Sequence, residues 1–128
     1  ALRAVGAARL AVATAYTEPV NQRLREFIQD SGFEVLSLQA LDLVEVDDVH
    51  AVGDDDLMAL GRRAGASAPG ADGLLISCGG LRTLPVELPL ERALGMPVVS
   101  SAVAGAWAAA RLAGHPGRVA GATRLLGR

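Results

Sequence analysis

A single cysteine, Cys78, closes the apolar run Gly73-Leu74-Leu75-Ile76-Ser77 and is followed at once by Gly79 and Gly80. A short apolar run bounded by turn residues is the pattern of a strand buried on both faces of a parallel sheet. Ligands of open α/β sheets bind beyond the carboxyl ends of such strands. A thiol held there can serve as proton donor, base or nucleophile. Gly79 and Gly80 offer N–H groups unshielded by side chains, the makings of an anion-binding nest. A helix N-terminus just beyond adds positive potential that favours thiolate. The same residues also fit a plainer reading. A lone cysteine is usually a small buried hydrophobe, and paired glycines also serve simply to permit a tight strand-to-helix turn. Position alone leaves both readings open.

Other residues could join such a site. Tyr16, the only tyrosine, directly follows the first expected strand. Its hydroxyl could donate to a carboxylate, or its ring could just pack over the sheet edge. Arg82 could pair with a carboxylate in bidentate fashion, although a solvated surface charge is the favoured reading. Asp54, Asp55 and Asp56 suggest helix capping rather than a divalent metal. His50 and His115 have no partner at ligand or triad spacing and read as structural or solvated. The chain contains no dinucleotide-binding, Walker A or nucleophile-elbow motif.

The elements that must position these residues follow from periodicity and punctuation. Arg9 to Ala15 reads as a first strand. Thr17 reads as an N-cap, with Glu18 and Pro19 in the first helical turn. Val20, Leu24, Phe27 and Ile28 give that helix one apolar face, and Gly32 can provide a left-handed stop. Phe33 to Leu38 is a second strand, and residues 39–53 form a long acidic connection. Asp54 can cap a helix carrying Leu57, Leu60 and Ala64. Gly73 to Ser77 is the third strand. A helix whose first turns Pro85 and Pro89 make irregular runs on to Leu94. Pro97 to Ser100 is the fourth strand, and Ser101 to Ala113 the last helix. The tail, 113–128, shows no clear periodicity. Alternating strands and helices imply a parallel sheet, a three-layer α/β fold whose strand ends gather Tyr16, Thr17, the 39–53 connection, Cys78 to Thr83 and Ser100.

Composition sets the limits. With 128 residues, 51% of them apolar and 20% charged, the chain is one domain with a real core. A net charge of -2 argues against a nucleic-acid partner. The twelve basic residues are all arginines, which an Ala- and Gly-rich composition explains without a binding role. One cysteine cannot form an internal disulfide, so a cytoplasmic setting is expected. No apolar run approaches the roughly 18 residues of a membrane span, and no secretory leader is recognisable. The chain opens without Met on residues that read like the end of a helix, so a piece of a longer protein is expected.

Four segments taken together carry a resemblance: Ala13-Thr14-Ala15-Tyr16, Val20-Asn21-Gln22-Arg23-Leu24, Leu75-Ile76-Ser77-Cys78-Gly79-Gly80-Leu81 and Gly95-Met96-Pro97-Val98-Val99-Ser100-Ser101. They resemble the second half of the aspartate/glutamate racemase superfamily, nearest to its arylmalonate decarboxylase and maleate cis-trans isomerase families. That likeness extends over nearly the whole chain and includes the Arg124-Leu125-Leu126 tail. It implies a flavodoxin-like lobe with a four-stranded parallel sheet, one of two in the racemase fold, with residues 1–128 as that single lobe and the first lobe absent. It also implies chemistry without cofactor or metal on a small carboxylic acid, at the carbon next to the carboxylate. Cys78 matches the second-lobe cysteine, the proton donor of a decarboxylase. Tyr16 and Gly79 would bind the carboxylate in an oxyanion hole, with Thr17 and Gly80 as further substrate-binding residues, and Val46 and Val49 would line an apolar pocket. The missing first lobe or a second subunit would complete the site. An isomerase or racemase using Cys78 as the second of two cysteines is the alternative. A non-catalytic flavodoxin-like binding module is the other.

Overall fold

A computed structural model describes residues 1–127. Four strands, β1 (Arg9–Thr14), β2 (Glu34–Ala40), β3 (Gly73–Ser77) and β4 (Val98–Ser100), form one all-parallel sheet in the order β2-β1-β3-β4. Side chains alternate between its faces with the two-residue period of extended backbone. Ala11, Ala13, Leu74, Ile76 and Val98 point to one side. There they meet Leu57, Leu60 and Ala64 of helix α3 (Asp54–Ala66) and Val86 and Leu90 of α4 (Leu84–Leu94). Leu10, Val12 and Val99 point to the other, against Ile28 of α1 (Glu18–Asp30) and Val103 of α5 (Ser101–Leu112). The three-layer α/β lobe expected from the alternating pattern is the fold found.

Glycine sets how closely the layers approach. A Cβ on Gly61 would stand 2.8 Å from Leu90 Cδ1, and one on Gly65 the same distance from Leu94 Cδ2. Two bare positions one turn apart on α3 therefore let leucines of α4 settle against its backbone.

Several local expectations need correction. The 39–53 connection is not all loop, because Val46–His50 forms a single helical turn, α2, with no buried residue. Five residues are too few to display a helical hydrophobic period, so the pattern could not reveal it. Helix α3 is capped at Gly53, whose N–H is accepted by Asp56 Oδ2 at 3.3 Å, and Asp54 is its first helical residue. Thr17 is the N-cap of α1 through its backbone, and its hydroxyl does not cap. Pro89 sits inside α4, which runs as a continuous helix from Leu84. The opening residues form a 3-10 turn at Arg3–Val5, ended by Gly6 at φ 76°.

The tail is part of the core despite its lack of pattern. Leu125 is fully buried among Val5, Leu10 and Val99. The carboxylate of Glu91 accepts the Arg124 N–H at 3.0 and 3.1 Å and the Val98 N–H at 3.1 Å. One buried leucine and one buried carboxylate thus tie residues 123–126 to α4 and β4. Among the described residues, no helix is long and apolar enough to cross a membrane. No acidic, His or Cys cluster there could hold a metal ion.

Replacing Leu125 by Ala should cost about 2–5 kcal/mol through lost burial and a residual cavity, read as a lower urea midpoint at unchanged slope. A shift below about 0.5 kcal/mol would show that the tail does not belong to the cooperative unit.

Candidate active site

The parallel strands end together at one edge, where polar groups replace the apolar core. At the end of β1, the Thr14 hydroxyl donates to Asn21 Oδ1 at 2.6 Å and accepts the Tyr16 N–H at 3.2 Å. The Asn21 amide donates to the Tyr16 carbonyl at 3.1 Å. Asn21 is 2% exposed, so this is a buried, satisfied clamp that sets the path of the chain as it leaves the strand. The clamp puts the Tyr16 hydroxyl 3.3 Å from Ser77 Oγ, on the residue just before Cys78. Tyr16 and Cys78, chosen on separate sequence grounds, come to neighbouring strand ends. Thr17 is half-buried beside Tyr16, its hydroxyl free of capping duty.

The Cys78 loop is anchored on both sides of its glycines. Cys78 is half-buried, packs against the core beneath α3 and α4, and its carbonyl accepts the Leu81 N–H at 3.2 Å. Leu81 is buried, and Thr83, the N-cap of α4, donates its hydroxyl to Ser100 Oγ at 2.7 Å. Ser100 in turn caps α5 by accepting the Val103 N–H at 3.1 Å. Between the anchors, neither Gly79 nor Gly80 has a positive φ. Both lie in a turn, a conformation that lets successive N–H groups face one ligand. What the turn offers is its amides: among the described residues, neither the Gly79 nor the Gly80 N–H meets an acceptor. A Cβ on Gly79 would point into open space, whereas one on Gly80 would lie 3.2 Å from Val49 Cγ1 and 3.6 Å from His50 Nε2.

Helix α2 thus reaches the loop. Val49 is brought to Gly80, while Val46 is 66% exposed on the same turn. His50, read from the sequence as structural or solvated, is exposed but stands at the loop. No spacing in the sequence signals this, because the contact depends on a helical turn the pattern could not show. Arg82 is exposed, as favoured, and so are Asp54 to Asp56 and His115. A cavity of about 490 Å³ between α1 and α5 is lined by Phe27, Ile28, Leu75, Ser77 and Val99 and does not include Cys78.

Glu87 is the residue that sequence reasoning missed most. It is fully buried on α4, and neither carboxylate oxygen has a hydrogen-bond partner among the described residues. Burial pushes its carboxyl above the usual range. The neighbouring Ser100 and Thr83 hydroxyls oppose that shift, and the charge of Glu91 adds to it. The available signal was its place on the Val86–Leu90 side of the helix.

Comparison with known proteins sharpens this picture. A family model described as arylmalonate decarboxylase matches residues 1–126. The arylmalonate decarboxylase of Bordetella bronchiseptica is 45% identical over 113 residues, 88% of this chain and 47% of that protein. The maleate isomerase of Nocardia farcinica (strain IFM 10152) is 34% identical over 126 residues, 98% of this chain and 49% of that protein. A crystal structure of arylmalonate decarboxylase superposes with a TM-score of 0.90 at 43% identity, covering 98% of this chain and 55% of that one. A mutant of the Nocardia farcinica maleate cis-trans isomerase with a covalently bound succinylcysteine intermediate gives a TM-score of 0.90 at 32% identity, covering 98% and 51%. The chain spans about half the length of the curated relatives it matches.

The open space over Gly79 and the crowding at Gly80 should separate two substitutions. Gly79→Ala should change stability by no more than about 0.5 kcal/mol. Gly80→Ala should cost about 1 kcal/mol or more by pushing on Val49. Equal denaturation midpoints for the two variants would show that α2 does not pack on the loop.

Proposed function

Because the chain belongs to the arylmalonate decarboxylase family, we propose that it supplies the cysteine half of a cofactor-independent enzyme acting on the carbon next to a carboxylate, with Cys78 as the acid. When a substituted malonate loses carbon dioxide, the electron pair of the broken C–C bond stays on the α-carbon. That pair delocalises into the remaining carboxylate as an enediolate. The Cys78 S–H bond then breaks, its proton forms the new C–H bond, and the thiolate recovers a proton from water. The step needs an acid within reach of the carbon and donors aimed at the oxygens where charge collects.

The observation that carries the reading is the meeting of those two requirements at adjacent strand ends. The Tyr16 hydroxyl lies on Ser77, and the unpaired amides of Gly79 and Gly80 follow the thiol directly. In this reading these groups and the free Thr17 hydroxyl hold the carboxylate, and Val49 with Val46 forms the apolar wall beside the substituent. Residues 1–128 act as one lobe, completed by a first lobe or a second subunit. Support comes from relatives twice as long and from the open space over Gly79. A reduced thiol in use fits a cytoplasmic setting. Maleate isomerisation is the second reading, favoured by the 98% of this chain that aligns with the Nocardia enzyme. There Cys78 would be one of two cysteines.

Cys78→Ala in the protein should lower carbon dioxide release from an arylmalonate by on the order of 10²–10⁴-fold with the fold intact by circular dichroism. Turnover that survives the substitution would remove Cys78 from the chemistry. Conversion of maleate without decarboxylation, lost in the same variant, would select the isomerase reading.

A further inference from the structure

Glu87 lies one helical turn beyond Thr83, the residue that ends the Cys78 loop, and has no exposed surface. Its oxygens make no well-aligned hydrogen bond among the described residues. Its near polar groups are the hydroxyls of Thr83 and Ser100 and the backbone N–H of Ser100. The charged group acting on it is Glu91, one turn along α4, whose carboxylate accepts the backbone N–H groups of Val98 and Arg124. β4 contributes the Ser100 hydroxyl and backbone N–H, and α5 the Val103 N–H, which is already given to Ser100. An ionised carboxylate there would be fully buried beside a like charge, with one N–H and two hydroxyls to offset the lost hydration.

The hydroxyl protons indicate what a neutral acid would do there. Thr83 spends its proton on Ser100 Oγ, which also accepts from Val103. The proton of Ser100 is therefore free, and Thr83 Oγ1 still has a lone pair to offer. A carboxylic acid has one O–H to give and one carbonyl oxygen to receive, which matches both vacancies. We propose that Glu87 is a positioning residue that, as a neutral acid, donates to Thr83 and accepts from Ser100. This closes a ring of three hydrogen bonds that fixes the exit of the Cys78 loop against β4 and the start of α5. The role rests on the reading of that loop as the reactive one. Ionisation of Glu87 removes the proton given to Thr83 and opens the ring.

The test compares wild type with Glu87→Gln, whose amide can donate and accept in the same places, and with Glu87→Met, which can do neither. Infrared spectroscopy at neutral pH should show the C=O stretch of a protonated carboxylic acid in wild type. That band should be absent from Glu87→Gln and displaced in Ser100→Ala. Glu87→Gln should alkylate at Cys78 and turn over within about twofold of wild type, while Glu87→Met loses about tenfold in both, the size of one hydrogen bond. Wild type should lose stability relative to Glu87→Gln as pH rises above the ordinary carboxyl value of 4.5, because the folded state keeps a proton the unfolded chain releases. No protonated-acid band at neutral pH in wild type, which folds by definition, overturns the proposal, as does Glu87→Gln behaving like Glu87→Met. The band and the alkylation rate need no turnover. An inactive protein with the band therefore rejects the proposed reaction alone, and an active one without it rejects the ring alone.

Discussion

The pairing of β1 with β3 is the constraint on which the rest of this lobe depends. Leu10 pairs with Gly73, and the ladder runs in step to Thr14 and Ser77. Every side chain between those ends is committed to a face of the sheet, and a slip of one residue would turn the core outward. The same register sets where the polar groups gather. Only because Thr14 stands opposite Ser77 does the turn after Thr14 bring the Tyr16 hydroxyl to Ser77, the residue before Cys78. Gly73 helps to fix it, since a Cβ there would stand 2.7 Å from Ala7 Cβ. An apolar fit at one end of two strands thus aligns polar groups at the other.

Two glutamates on α4 show how the same side chain takes opposite duties one turn apart. Glu91 accepts the N–H groups of Val98 and Arg124 and so joins helix, strand and tail. Glu87 makes no well-aligned hydrogen bond among the described residues and faces two hydroxyls and the Ser100 N–H in a fully buried position. Different surroundings one turn apart are how a protein assigns different roles to chemically identical groups. Glu91 anchors the side of the sheet away from the loop, and Thr83 with Ser100 anchors the side that carries it.

What could be read in the sequence was whatever repeats or punctuates. The strands announce themselves as apolar runs, and α1 by Val20, Leu24, Phe27 and Ile28. The Cys78 turn is marked by its paired glycines, and the likeness to known relatives is concentrated in the same segments. The parts that stayed hidden lack periodicity or depend on distant partners. Helix α2 is too short to show a period. The tail is held by one leucine and by the Arg124 N–H shared between both oxygens of Glu91, which no local pattern encodes. His50 and Val49 reach the loop only because that short turn lies against Gly80. Glu87 could be assigned to the buried face of its helix, yet a charged residue in that place reads as surface until the hydroxyls opposite it are seen.

The geometry also bears on the outcome of a proton transfer. The enediolate expected at such a site is planar, so the face that receives the proton is set by where the acid stands. Cys78, the Gly79 and Gly80 amides and the Tyr16 hydroxyl all belong to the ends of β1 and β3, and they approach from this lobe's side. Among the described residues nothing stands within 4 Å of a Cβ placed on Gly79, and Val46 is left largely exposed. In the proposed reading the opposite face is left to whatever completes the site. An apolar surface there leaves Cys78 as sole acid and delivers the proton to one face only. A second thiol there lets protons come and go on both faces, which is the requirement for isomerisation or racemisation. In the proposed reading this lobe supplies one side of the reaction, and the residue facing Cys78 selects between decarboxylation and isomerisation.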